Sequence, residues 1–132
     1  MADKITTGNC LCGVVSYRVT GEMRDIMACH CSQCRKQTGH HYAATNARND
    51  ALTISGEENL TWYAASDMAQ RGFCSTCGSA LFWKPNDGAY TSILAGSLDD
   101  GHGLKLTKHI FCADKGEYYE IDPNIPQFPQ SS

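Results

Sequence analysis

An all-β domain is the fold class predicted for this chain, and three observations predict it. Apolar residues recur at every second position: in 11–20, "LCGVVSYRVT", Val15, Tyr17 and Val19 share one face, while Ser16, Arg18 and Thr20 take the other. That is the period of a half-buried strand. Short runs of this kind are punctuated by Gly21, Gly56, Gly88 and the "DDGHG" of 99–103, as turns between strands require. Only about two turns of chain, "CSQCRKQT" at 31–38, carry a helical signal.

Taken in order, the strand of 11–20 is followed by one over 25–30 (DIMACH), which leads into the short helix of 31–38, stopped by Gly39 as its C-cap. Further strands are predicted over 41–48, 52–55, 60–65, 70–74, 80–84, 90–96 and 106–112. Trp62, Phe82 and Trp83 are expected to pack in the core. The tail, "DPNIPQFPQSS" at 122–132, holds three prolines that bar it from a sheet centre, so it is expected as extended chain along the surface. Without internal repeat or linker, 132 residues suit one domain spanning 1–132.

Composition narrows the function. With 42% apolar and 19% charged residues and no long apolar run, no membrane span is expected. The N-terminal "MADKITTGN" lacks a secretory pattern, which makes the cytoplasm the expected location. A formal charge of −3, with 11 scattered Lys and Arg, offers no footprint for nucleic acid. The 8 cysteines carry the main signal, and in a reducing compartment they point to metal rather than disulfides.

Their spacing sorts them. In "CLC" (Cys10, Cys12) and "CHC" (Cys29, Cys31) the cysteines sit at i and i+2, and on a strand both sulfurs leave the same face. "GFCSTCG" holds Cys74 and Cys77 in a glycine-flanked Cys-x-x-Cys, the tight turn of a zinc knuckle. Cys10, Cys12, Cys74 and Cys77 together supply four thiolates, the closed set of a structural zinc; spacing also leaves open that these four are free thiols or that the knuckle pairs with the other cluster. Cys29, Cys31 and Cys34 remain, one ligand short, and three protein ligands with an open position mark catalytic zinc. His40, His41 and Cys112 compete as closing ligands. His30 is discounted, since strand parity sends its ring to the opposite face. Cys112 shares the parity of Leu106 and Ile110 and is expected to face the core.

The segments "GNCLCGVVSY", "CHCSQCRKQTG", "RGFCSTCGSALFW", "ILAGSLDD" and "KHIFCADKGEYYEI", over roughly residues 9–128, resemble the glutathione-dependent formaldehyde-activating enzyme family, whose domain also occurs in centromere protein V. The resemblance implies a zinc-containing β-tent fold of antiparallel sheets with one short helix after the Cys-x-Cys-x-x-Cys cluster. It assigns Cys10, Cys12, Cys74 and Cys77 to a structural zinc and Cys29, Cys31 and Cys34 to a catalytic one, two ions per chain. It also implies a carbon–sulfur lyase activity that joins formaldehyde, or a related small aldehyde, to glutathione or another small thiol. Two positions depart from the family pattern: Tyr118 stands where tryptophan is common, and Cys112 where an aliphatic residue is usual.

On that reading the substrate thiol completes the site of Cys29, Cys31 and Cys34. Arg35 is the first choice for gripping a substrate carboxylate, because its planar fork binds one bidentately. Lys36 and Arg71 are further candidates for offsetting thiolate charge, each with an alternative reading as a solvated surface charge. His40 and His41 are candidate proton shuttles. Two other classes stay open: a non-enzymatic zinc module that binds a protein partner, and a thiol redox domain of similar fold.

Overall fold

A computed structural model describes residues 4–131, so residues 1–3 of the N-terminal stretch and Ser132 of the tail lie outside the described residues. In chain order the elements are β1 (Ile5–Asn9), β2 (Ser16–Thr20), β3 (Ile26–Cys29), α1 (Ser32–Thr38), β4 (Tyr42–Arg48), β5 (Leu52–Ser55), β6 (Leu60–Ala64), β7 (Ala69–Cys74), β8 (Ala80–Pro85), β9 (Tyr90–Leu94) and β10 (Leu106–Ile110). Among the described residues the fold is thus mostly β with one α-helix, as the alternating pattern predicts. The chain divides into two compact units: one takes the described residues of Met1–Arg24 and Thr45–Gly103, the other those of Asp25–Ala44 and Leu104–Ser132.

In the first unit, β1, β2 and β5 form an antiparallel sheet in that order, and β6 to β9 form an antiparallel meander. β1 was not anticipated from the sequence. Its "ITTGN" has only a threonine and a glycine on the inward face, too small to register as a hydrophobic alternation. Gly8 has a packing reason: a Cβ there would lie 2.2 Å from the hydroxyl of Tyr17, which bonds Ser97 Oγ at 2.6 Å. The expected strand over 11–20 is shorter, Ser16–Thr20. Cys10 to Val15 instead form a turn, closed by Cys10 N–H to Val15 O (3.0 Å) and Gly13 N–H to Cys10 O (3.1 Å).

Val15, Tyr17, Val19, Leu81, Phe82 and Ile93 fill this unit's core. Leu81 and Phe82 are adjacent and both buried because a register shift opposite Gly72 and Phe73 breaks the alternation. Phe82 is core as expected, whereas Trp62 and Trp83 are only half-buried; Trp62 stacks on Phe82 from the edge strand β6, with ring centres 5.9 Å apart.

In the second unit, β3 pairs antiparallel with the start of β4 and parallel with β10. Beside the antiparallel pairs that the sheets were expected to hold, this one is parallel, as the long excursion of chain between β3 and β10 allows. β10 ends at Ile110 rather than at 112, because Phe111 adopts a left-handed backbone (φ 53°). Cys112 therefore leaves the strand and is half-buried in a 3-10 turn, not core-facing. The tail does more than run along the surface. Pro126 O accepts from His109 N–H and Phe128 N–H donates to His109 O, both at 2.9 Å, covering the free edge of β10. That pairing asks no N–H of Pro126 or Pro129.

Candidate functional site

The turn at Cys10–Val15 and the knuckle at Cys74–Cys77 bring four thiols together. Their Sγ atoms lie within 4.8 Å of one another, with Cys10 to Cys12 at 3.7 Å and Cys12 to Cys74 at 3.8 Å. Sulfurs placed tetrahedrally about 2.3 Å from zinc stand about 3.8 Å apart, so the set fits that ion. Backbone N–H groups point at the sulfurs as a thiolate site requires: Val15 to Cys10 Sγ and Cys77 to Cys74 Sγ, both at 3.4 Å. Ser79 ties the two loops, its Oγ accepting from Leu11 N–H (2.9 Å) and standing 3.2 Å from Cys77 Sγ. The Ser79 hydroxyl, with backbone N–H groups, pushes the Cys77 thiol down to about 5. The two sulfurs of "CLC" are thus gathered by a turn, not by the extended strand that their i, i+2 spacing suggested.

Cys29, Cys31 and Cys34 form the second cluster, again with Sγ atoms within 4.8 Å. Cys29 ends β3, while Cys31 is the N-cap of α1 in extended conformation, its sulfur accepting Cys34 N–H at 3.4 Å. The helix then closes on Gly39 (φ 85°), whose N–H reaches Arg35 O at 2.9 Å, one residue from the expected bounds. Among the described residues, no fourth Cys, His, Asp or Glu joins this group, so His40, His41 and Cys112 are not gathered with it. The neighbouring Cys34 sulfur, followed by burial, pushes the Cys29 thiol up, and burial does the same to Cys31. Three thiols this close resist joint ionisation until a cation joins them, which makes metal uptake a proton-releasing step.

Around this cluster stands a group that spacing alone did not reveal. His30 is fully buried, with Nδ1 bonded to the Tyr119 hydroxyl and Nε2 2.8 Å from His109 Nδ1. The rings of His41 and His109 lie 5.0 Å from that of His30 on either pairing. Burial, reinforced by neighbouring charges, pushes His30 down to about 4, and burial lowers His41 and His109. Two ring nitrogens, His41 Nδ1 and His109 Nε2, are buried without a hydrogen-bond partner. The only sequence signal was a histidine inside a chelating strand, whose far face proves to be interior as well.

Arg35, half-buried on α1, lines a cleft of ≈ 330 Å³ with Lys36, Gly39, Gly116, Glu117 and Tyr118. Its Nε is buried and without a partner, a donor held ready for an incoming acceptor. Arg71, the other candidate for offsetting thiolate charge, does not fit the alternative reading as a solvated surface charge: it is 3% exposed within β7 of the first unit.

Fold and clusters define a mostly β protein with two cysteine sets able to hold metal ions. Residues 5–114 match the model of the family described as glutathione-dependent formaldehyde-activating enzyme. The chain is 32% identical over 122 residues to an uncharacterized lyase of Schizosaccharomyces pombe, covering 92% of this chain and 88% of that one. It is 37% identical over 125 residues to a candidate glutathione-dependent formaldehyde-activating enzyme of Halomonas elongata, covering 87% and 80%. A crystal structure of a Rhodobacter sphaeroides protein matches the fold with a TM-score of 0.60 at 24% identity, over 92% of this chain and 98% of that one. The chain belongs to the glutathione-dependent formaldehyde-activating enzyme family.

Proposed function

We propose that this protein is a carbon–sulfur lyase that joins glutathione, or another small carboxylate-bearing thiol, to formaldehyde or a related small aldehyde. The observation that carries the reading is the cluster of Cys29, Cys31 and Cys34, three thiols with no fourth protein ligand gathered among the described residues. Bound there, zinc would supply Lewis acidity and favour the thiolate form of a sulfur substrate. The four-cysteine set would hold a second, structural ion. Arg35 follows Cys34 directly on α1, so a thiol aligned with the cluster can rest a carboxylate on the Arg35 fork, with Lys36 adding charge at the same cleft. The same cations offset the negative charge that three ionised cysteines accumulate.

Native mass spectrometry of wild type and Cys34→Ser, with and without glutathione, tests this. Two zincs in the wild type, one in the variant, and a glutathione adduct confined to the wild type are expected. One zinc regardless of variant would defeat the catalytic assignment. An NMR assay of formaldehyde consumption in the presence of glutathione tests the substrate, and no acceleration over the uncatalysed reaction would reject it.

A further inference from the structure

Residues 115–119 hold a feature that the cysteine clusters do not account for. Lys115 folds this loop onto itself: Nζ donates to the carbonyls of Gly116 (2.7 Å) and Tyr119, and lies 4.5 Å from the Tyr119 ring centre. The two tyrosines then reach the two ends of α1. Tyr119 bonds His30 just before the helix, and the Tyr118 hydroxyl bonds His40 Nδ1 just after it, at 2.5 Å. A Cβ at Gly116 would lie 2.7 Å from Tyr118 Cε1, so bare backbone there lets the ring take this position. Tyr118 nonetheless stays 66% exposed, and it lines the Arg35 cleft.

The two tyrosine–histidine bonds differ in access. His30 is fully buried and uses both ring nitrogens within the protein, so the Tyr119 bond serves as a clamp. His40 is exposed and can trade protons with solvent while its Nδ1 faces the phenol.

We propose that Tyr118 and His40 form a proton-transfer pair at this cleft, serving the oxygen that gains charge as a thiol adds to an aldehyde. This rests on the thiol–aldehyde reading and supplies the proton that completes it. The S–C bond forms, the π bond of the carbonyl opens, and the thiol proton leaves to solvent. The Tyr118 hydroxyl proton passes to the new alkoxide, the Nδ1 proton of His40 refills the phenol as solvent delivers a proton to Nε2, and exchange with solvent restores the starting tautomer. No electron enters or leaves. The groups facing the pair are the rings of His41 and Tyr119, centred 4.3 and 4.6 Å from His40, and Arg35, Lys36 and Glu117 beside Tyr118 in the cleft.

The test compares wild type with Tyr118→Phe, which keeps the ring, with His40→Gln, and with the double variant. Zinc content, steady-state kinetics and the ring 15N shifts of His40 are measured on each. Tyr118→Phe is expected to lower kcat by about tenfold or more with KM for the thiol unchanged. His40→Gln should match it and the double variant should fall no further, with zinc content constant and the His40 15N shifts moved by Tyr118→Phe. Full kcat in Tyr118→Phe, a change in KM alone, or loss of zinc would overturn the role. His40 15N shifts unmoved by Tyr118→Phe overturn the pair alone, whereas a wild type that does not accelerate the addition overturns the thiol–aldehyde reading together with this step.

Discussion

Cys74 and Cys34 are both buried thiols, Cys74 Sγ accepting Cys77 N–H and Cys34 N–H donating to Cys31 Sγ, yet their loss should read differently. Cys74 belongs to a set that joins residues more than sixty positions apart, so an ion held there would contribute directly to folding. Cys74→Ser is expected to cost about 3 kcal/mol or more, a fall in Tm of about 10 °C or more by calorimetry, whereas Cys34→Ser should lose one zinc with a smaller change. The buried histidines set the response to acid. His30 is held at about 4, and His41 and His109 also lie below the ordinary 6.5, so the unfolded chain takes up protons more readily than the folded one. Stability is therefore full above about pH 6.5 and falls as pH drops toward about 4. Urea unfolding across that window, with zinc content followed alongside to separate metal loss, should show the midpoint declining; a flat midpoint would contradict the assignment.

Among the elements, β10 illustrates how an edge is closed by chain that reads only as extended surface segment. Its neighbour on one side is β3, and on the other the tail accepts from His109 N–H and Phe111 N–H through Pro126 O and Gln130 O. Lys108 Nζ also sits 5.9 Å from the Phe128 ring centre. Deleting residues 126–132 should leave those amides to solvent. Hydrogen exchange at His109, Phe111 and Cys112 is expected to quicken by about tenfold or more in the deletion variant, with β7 and β8 unaffected. The tail was legible as extended from its prolines, but its pairing was not. Proline spacing says which N–H groups are missing, and only the partner strand says which ones are needed.

At the scale of the molecule, each compact unit carries its own thiol cluster, one with four sulfurs and one with three. A strong chelator should therefore release zinc in two phases, the ion of Cys29, Cys31 and Cys34 leaving first, as followed by a colorimetric zinc indicator. A single phase would argue against two unlike sites. Cys112 lies apart from both clusters, so Cys112→Ser is expected to keep full activity, which a redox mechanism built on that thiol would not allow.

Local chemistry determined a good part of this protein without help from tertiary structure. Alternation at Val15, Tyr17 and Val19 marks a strand, Gly39 marks the end of α1, and cysteine spacing sorts seven of eight thiols into the two sets that the fold brings together. Each is a short-range property, fixed by which side chains a turn or a strand sends the same way. Only the tertiary structure decided that the "CLC" sulfurs are presented by a turn, that β10 runs parallel to β3, and that His30, His109 and Tyr119 meet in the interior. Those features join residues up to 89 positions apart, and a period of two says which face a side chain takes but not what waits on that face.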